Sequence, residues 1–156
     1  MNDGSERFTL DTNLLVYSAD NSAGVRQRIA GEIVDRAVDR DCWLTLQALS
    51  EFYFAVTRKR IAPPDEAAAL AGAWLEAFPT IAATRGAVRA ALGAAAAGRA
   101  SYWDALLVAT AAEAGCSVIL TEDMADGAML AGIRIHNPFS GSGGLTEEAR
   151  RLLDLD

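Results

Sequence analysis

The sequence predicts an α/β fold, a central and mostly parallel sheet flanked by helices. Two observations lead there. Short apolar runs of strand length alternate with longer segments whose apolar residues recur at helical spacing, the pattern of a parallel sheet covered on both faces. Two of those runs also end in acids: Phe8-Thr9-Leu10 runs into Asp11, and Ser117-Val118-Ile119-Leu120 leaves through Thr121-Glu122-Asp123. In such sheets ligands bind at the rim outside the carboxyl ends of the strands.

The elements follow in order. Arg7 to Leu10 reads as the first strand, with Asp11 at its exit and an apolar helical start in Leu14-Leu15-Val16-Tyr17. From Ala23 to Arg40, Val25, Ile29, Ile33, Val34, Ala37 and Val38 mark one face of a helix. Cys42 to Leu46 is a second short strand. Gln47 to Val56 is a helix with Leu49, Phe52, Tyr53 and Val56 on its stripe and Glu51 one step away, near its N-terminus. It ends in Arg58-Lys59-Arg60, cations suited to the negative end of the helix dipole or to a nucleic-acid backbone. Pro63-Pro64 breaks the chain, Asp65 to Glu76 is helical, and Thr80 to Ala83 is a short extended piece.

Thr84 to Ala97 is an alanine-rich helix stopped by Gly98. Ser101 opens the next helix, which runs to Ala114 with Gly115 as its stop. Ser117 to Leu120 is a strand, Met124 to Leu130 a short helix, and Ile133 to Ile135 the last strand. Ser140-Gly141-Ser142-Gly143-Gly144 is a flexible linker by composition. Residues 1–139 are therefore expected to form one domain, and residues 140–156 a linker with a C-terminal helix starting at Thr146.

Composition narrows the class. With 156 residues, 51% of them hydrophobic, the chain fits one folded domain. Its net charge of −7 argues against a general nucleic-acid binder with a basic face. Divalent metals that neutralise the acids would still let it hold phosphates. Lys59 is the single lysine, so the positive charge is almost all arginine, which suits phosphate and carboxylate. Cys42 and Cys116 read as small core residues. With His136 the only histidine and no Cys-x-x-Cys pair, a zinc site is not expected. No apolar run approaches a membrane span, and the polar start from Met1 to Arg7 carries no signal-peptide pattern, so the chain is read as cytoplasmic.

Each acid has an ordinary structural role open to it. Asp11 is a good helix cap. Ser101-x-x-Asp104 matches a capping box. Glu51 is a first-turn acid favoured by the dipole, and Asp123 is a turn residue. The conjunction is what points to chemistry. Strand C-termini and helix N-termini face one rim, so Asp11, Glu51, Asp104 and Asp123 converge there from distant parts of the chain. Like charges in one pocket raise each other's pKa, and a divalent cation is the natural partner. Mg²⁺ prefers oxygen ligands and keeps waters and substrate phosphates.

The segments Leu10-Asp11-Thr12-Asn13-Leu14-Leu15-Val16-Tyr17, Gln47-Ala48-Leu49-Ser50-Glu51-Phe52, Ser101-Tyr102-Trp103-Asp104-Ala105-Leu106 and Ile119-Leu120-Thr121-Glu122-Asp123-Met124 together resemble a PIN domain. Within that family they resemble the VapC-type toxins of bacterial toxin–antitoxin pairs. The resemblance implies an α/β/α sandwich and cleavage of RNA dependent on Mg²⁺ or Mn²⁺. Asp11, Glu51, Asp104 and Asp123 match the family's acidic positions, with Asn13 and Thr121 as polar neighbours that orient them. Glu122 and Asp126 lie near enough in sequence to stand in for Asp123. The resemblance further implies a small antitoxin that blocks the site, and a homodimer, for which Trp74 and its apolar neighbours are one candidate surface.

Two other classes compete. A phosphoryl-transfer protein would use Asp11 as nucleophile, but it needs a well-placed lysine, and the phosphatase version needs an acid where Asn13 stands. A binding module would keep the fold without activity. Metal binding separates the last from a nuclease.

Overall fold

The computed structural model describes residues 6–155; the stretch Met1 to Ser5, read above for a targeting signal, and Asp156 lie outside the described residues. In chain order, β1 (Phe8–Leu10) leads into α1 (Thr12–Ala19) and α2 (Val25–Ala37). Then come β2 (Leu44–Thr45), α3 (Leu46–Arg58), α4 (Pro64–Ala77), β3 (Thr80–Ile81) and α5 (Arg85–Ala96). The chain closes with α6 (Tyr102–Glu113), β4 (Val118–Leu120), β5 (Met129–Leu130), β6 (Ile133–His136) and α7 (Glu147–Leu152).

The main sheet has the order β1-β4-β6-β5. β1 pairs parallel with β4, placing Leu10 opposite Leu120, and β4 pairs parallel with β6. β5 adds an antiparallel edge. The parallel pair β2-β3 joins the free side of β1 through a bridge between Phe8 and Cys42, where the Trp43 N–H donates to the Phe8 carbonyl at 3.0 Å. Alternation along β4 shows why both faces are covered. Val118 and Leu120 enter the larger core with Phe8, Leu14, Ile33 and Phe52, while Ile119 enters the opposite core with Leu107, Val108, Ile133 and Ile135. The fold is thus a parallel-dominated sheet between helical layers, as the alternating pattern requires.

Several expectations change. Met124 to Leu130 is not a helix. Gly127 takes a left-handed φ of 81°, and Ala131 and Gly132 turn left-handed at 51° and 79°. The segment instead forms a turn and β5, tied down by Gly127 N–H to Ile135 O and Ile135 N–H to Ala128 O, both at 2.8 Å. Trp74 does not offer a dimer surface. It is 7% exposed and packs edge-on against Phe52 at 4.8 Å, so its stripe faces the core. Glu51 sits a turn deeper in its helix than the first turn, because α3 starts directly after β2, with Thr45 accepting from the Ala48 N–H as its cap.

The glycine-rich stretch is a closed turn. Ser140 N–H donates to Gly144 O at 2.8 Å, and Phe139 bridges Leu145. α7 then packs back on the body: Ala149, Leu152 and Leu153 are buried, the latter two in the larger core. Arg36 and Arg40 donate to the carbonyls of Leu153 and Leu152. His136 has a structural place here, with Nε2 on the Thr146 hydroxyl at 2.7 Å and Nδ1 beside Glu148 at 3.0 Å. Among the described residues no helix is long and apolar enough to cross a membrane.

The buried Leu153 gives a test. Leu153→Ala is expected to lower unfolding stability in urea by about 2–5 kcal/mol, the usual cost of such a core truncation. A loss under about 0.5 kcal/mol would mean that α7 lies outside the cooperative unit.

Candidate active site

β1 and β4 end side by side, and their register sets the site. The Asp11 N–H donates to Leu120 O at 3.0 Å, continuing the ladder one step past the strand. Asp11 therefore stands beside Thr121 at the sheet's carboxyl rim. It also caps α1, its Oδ1 accepting from the Thr12 N–H at 2.7 Å. Capping and clustering coexist, because the second oxygen, Oδ2, remains for the rim and accepts from the Thr121 hydroxyl at 2.8 Å.

Thr121 is the hub. Its one proton goes to Asp11, so its oxygen acts as acceptor toward Asn13 Nδ2 and the Asp123 N–H, both at 3.1 Å. Asn13 Oδ1 is then left buried without a partner. The hydrogen bonds fix three things: the orientation of Asp11, the direction of the Asn13 amide, and the turn that carries Asp123.

The other two acids come from the helices. Ser101 caps α6 by accepting from the Asp104 N–H at 3.1 Å, which places Asp104 in the first turn. Glu51 on α3 accepts from Gln47 Nε2 at 2.6 Å and from the Thr12 hydroxyl at 3.3 Å, so it is tied to the residue after Asp11. Gln47 Nε2 also donates to Trp103 O at 3.0 Å, linking α3 to the start of α6.

Burial decides the electrostatics. Asp11 is only 9% exposed. Desolvation pushes its carboxyl up to about 6, against the bonds from Thr121 and Thr12, and the charges of Asp104 and Asp123 push it the same way. The charges of Asp104 and Asp123 thus reach the Asp11 carboxyl. Asp123 is exposed, and Glu51 and Asp104 are half-buried. None of the ion pairs among the described residues engages Asp11, Glu51, Asp104 or Asp123. Among the described residues, no three acids, cysteines or histidines close into a metal-holding cluster on their own. The oxygens on offer are nevertheless carboxylates and an amide carbonyl, the donors a hard cation takes.

Glu122 and Asp126 are engaged elsewhere. Glu122 accepts from the Tyr17 hydroxyl at 2.7 Å and pairs with Arg26 at 2.9 Å, and these contacts hold its carboxyl below the usual range. Asp126 accepts from the Asn137 N–H at 2.8 Å. Gln47, Thr12, Tyr17 and Arg26 thus support the site without having been singled out above. Gln47 was within reach of sequence reading, since it lies four residues before Glu51 on one helix face. Tyr17 and Arg26 meet Glu122 across about a hundred residues, which no local pattern reveals.

The PIN domain family model matches residues 8–125. No curated protein matches the sequence. Among solved structures, the chain is similar to the toxin VapC20 of Mycobacterium tuberculosis, described as cleaving the sarcin–ricin loop. The TM-score is 0.62 at 16% identity, over 74% of this chain and 89% of that one. A DNA-bound VapBC from Salmonella typhimurium aligns with a TM-score of 0.59 at 18% identity, over 84% of this chain and 97% of that one. A toxin–antitoxin complex from Klebsiella pneumoniae gives 0.59 at 19% identity with the same coverages. At these identities the likeness is one of fold.

The raised Asp11 pKa carries a signed prediction. The folded chain holds this proton more tightly than the unfolded chain. Between about pH 4 and pH 6 the unfolded state releases the proton and the native state keeps it, so stability falls as pH rises through that window. The deficit remains above it and amounts to at most about 3 kcal/mol. In metal-free buffer, Asp11→Asn is expected to be more stable than wild type in urea at pH 7.5, and the gap is expected to close by pH 4. Parallel stability curves would contradict the assigned shift.

Proposed function

The chain belongs to the PIN domain family, and from that membership and the geometry of its acids we propose that it is a divalent-metal-dependent endoribonuclease, the toxin of a bacterial toxin–antitoxin pair. The observation that carries this reading is Asp11: a carboxylate buried at a strand–helix junction, pressed by Asp104 and Asp123, with no cationic side chain among the described residues paired to it. The solved toxin–antitoxin structures support the same reading.

Asp11, Asp104 and Asp123 would hold the cation, with Glu51 at its side. Mg²⁺ or Mn²⁺, when bound, supplies positive charge for a phosphodiester and a lowered pKa for an attacking water. The chain's own residues do the positioning. Thr121 and the Thr12 N–H keep Asp11 in one orientation. Gln47 and Thr12 hold the two oxygens of Glu51. The pair Tyr17 and Arg26 pins Glu122, and with it the turn that presents Asp123. Asp123 and the half-buried Asp104 leave one side open to solvent, where water and an RNA strand can approach. The same acidic mouth would attract an arginine from a small antitoxin protein, which blocks access by neutralising it.

One observation favours a second reading, a PIN-like binding module without activity: no three acids among the described residues close into a cluster. Titration calorimetry with Mn²⁺ separates the two. Wild type is expected to bind the ion, and Asp11→Asn to bind it at least about tenfold more weakly, in line with the loss of a ligand. Wild type is then expected to cut total RNA in Mg²⁺ and not in EDTA. A wild-type chain that binds no Mn²⁺ overturns the nuclease reading in favour of the binding module.

A further inference from the structure

A groove of about 420 Å³ runs past Glu51 along α3 and α6, lined by Leu46, Gln47, Phe54, Trp103, Leu106 and Thr110 among others. Glu51 also lines it, so the groove opens directly off the candidate site. Its rim carries two aromatic rings in water, Phe54 at 60% and Trp103 at 61% exposure. Exposed apolar surface gathered beside a groove, and not scattered singly, is the kind that marks an interaction site. The Arg58 guanidinium stands over the Phe54 ring at 5.6 Å, a cation beside the apolar wall.

Two polar atoms among the lining residues have no partner. Gln47 Nε2 faces the Glu51 carboxylate and the Trp103 carbonyl, both of which only accept. The amide nitrogen must therefore point there, and Oε1 is left as a buried acceptor with nothing to accept from. Thr110 is 1% exposed, and its hydroxyl is likewise unpaired. Neither atom reaches water in this conformation. Buried polar atoms in this state are destabilising unless an occupant completes them. An occupant reaches them only when the floor side chains move aside, so it must press into the floor rather than rest on the rim.

A planar ring that stacks, donates an N–H, and hangs from an anionic backbone meets these conditions together. We propose that this groove is the seat of one unstacked nucleobase of the RNA strand, next to the phosphodiester that lies at the acids. The ligand's identity rests on the nuclease reading above. The base stacks on Trp103 and Phe54, its edge N–H donates to Gln47 Oε1, Thr110 supplies a hydroxyl, and Arg58 meets a neighbouring phosphate. Aromatic platforms beside cations are the common device for holding single strands, and base edges supply the selectivity. Gln47 then has two duties, orienting Glu51 through its nitrogen and reading the base through its oxygen. Cleavage preference follows from this floor, not from the acids.

The test separates binding from cleavage. Fluorescein-labelled hexaribonucleotides and an abasic ribose-phosphate hexamer are titrated onto the full-length Asp11→Asn chain, in which cutting is suppressed. The base-bearing strands are expected to bind about tenfold more tightly than the abasic one, the usual range for a stacked base. Adding Trp103→Leu is expected to erase that difference. Thr110→Val, isosteric and fully buried, is expected to change the ranking among rA, rC and rU strands, which a purely structural hydroxyl would leave alone. Equal binding of base-bearing and abasic strands overturns the inference and leaves the groove to an apolar protein segment. The two readings fail separately. A wild-type chain that cuts RNA in a pattern unchanged by Trp103→Leu and Thr110→Val keeps the nuclease and loses the seat. One that cuts nothing while the variants still alter base binding loses the nuclease and keeps the seat.

Discussion

The structure turns on one carboxylate that cannot be comfortable where it is. Asp11 follows β1 and caps α1, and it is buried at that junction. Among the described residues it receives two hydrogen bonds and no ion pair, and two further aspartates act on it. Burial disfavours the charged form of that carboxyl. Residues held under such tension collect at functional sites. The parallel pairing of β1 and β4 matters because it sets Thr121 beside Asp11, and Thr121 distributes the order outward to Asn13 and Asp123.

Around that centre the chain separates support from exposure. Gln47, Thr12, Tyr17 and Arg26 each fix an acid or the turn beside one. Asp123 and Asp104 keep their side to solvent. Glu122, adjacent to Asp123 in sequence, is spent on holding the turn, so neighbours in the chain have opposite duties. The arginines occupy particular places, Arg26 over Tyr17 and Arg58 over Phe54.

Much of this was legible in the residues. A strand leaving into an acid, twice, locates the rim, and Ser101 before Asp104 places a third acid at a helix start. What stayed hidden depends on contacts across the chain. Met124 to Leu130 carries apolar residues at a spacing that suits a helix, but Gly127, Ala131 and Gly132 adopt left-handed backbone and the pairing with β6 wins. Trp74 looks like an exposed anchor until Phe52 covers it. The glycine-rich stretch reads as a linker because composition says nothing of the Phe139–Leu145 bridge that closes it, nor of the buried Leu153 beyond. One partner of Glu51, Gln47, was four residues away, while Thr12 lay 39 away and the partners of Glu122 about a hundred.

The most direct measurement is the titration of the Asp11 carboxyl itself, followed by carbon NMR with and without Mg²⁺. A buried acid waiting for a cation predicts a midpoint of about 6 in EDTA and a fall of at least about one unit when Mg²⁺ is added, since a bound cation favours the charged form. A midpoint in the ordinary aspartate range that ignores the ion would contradict it.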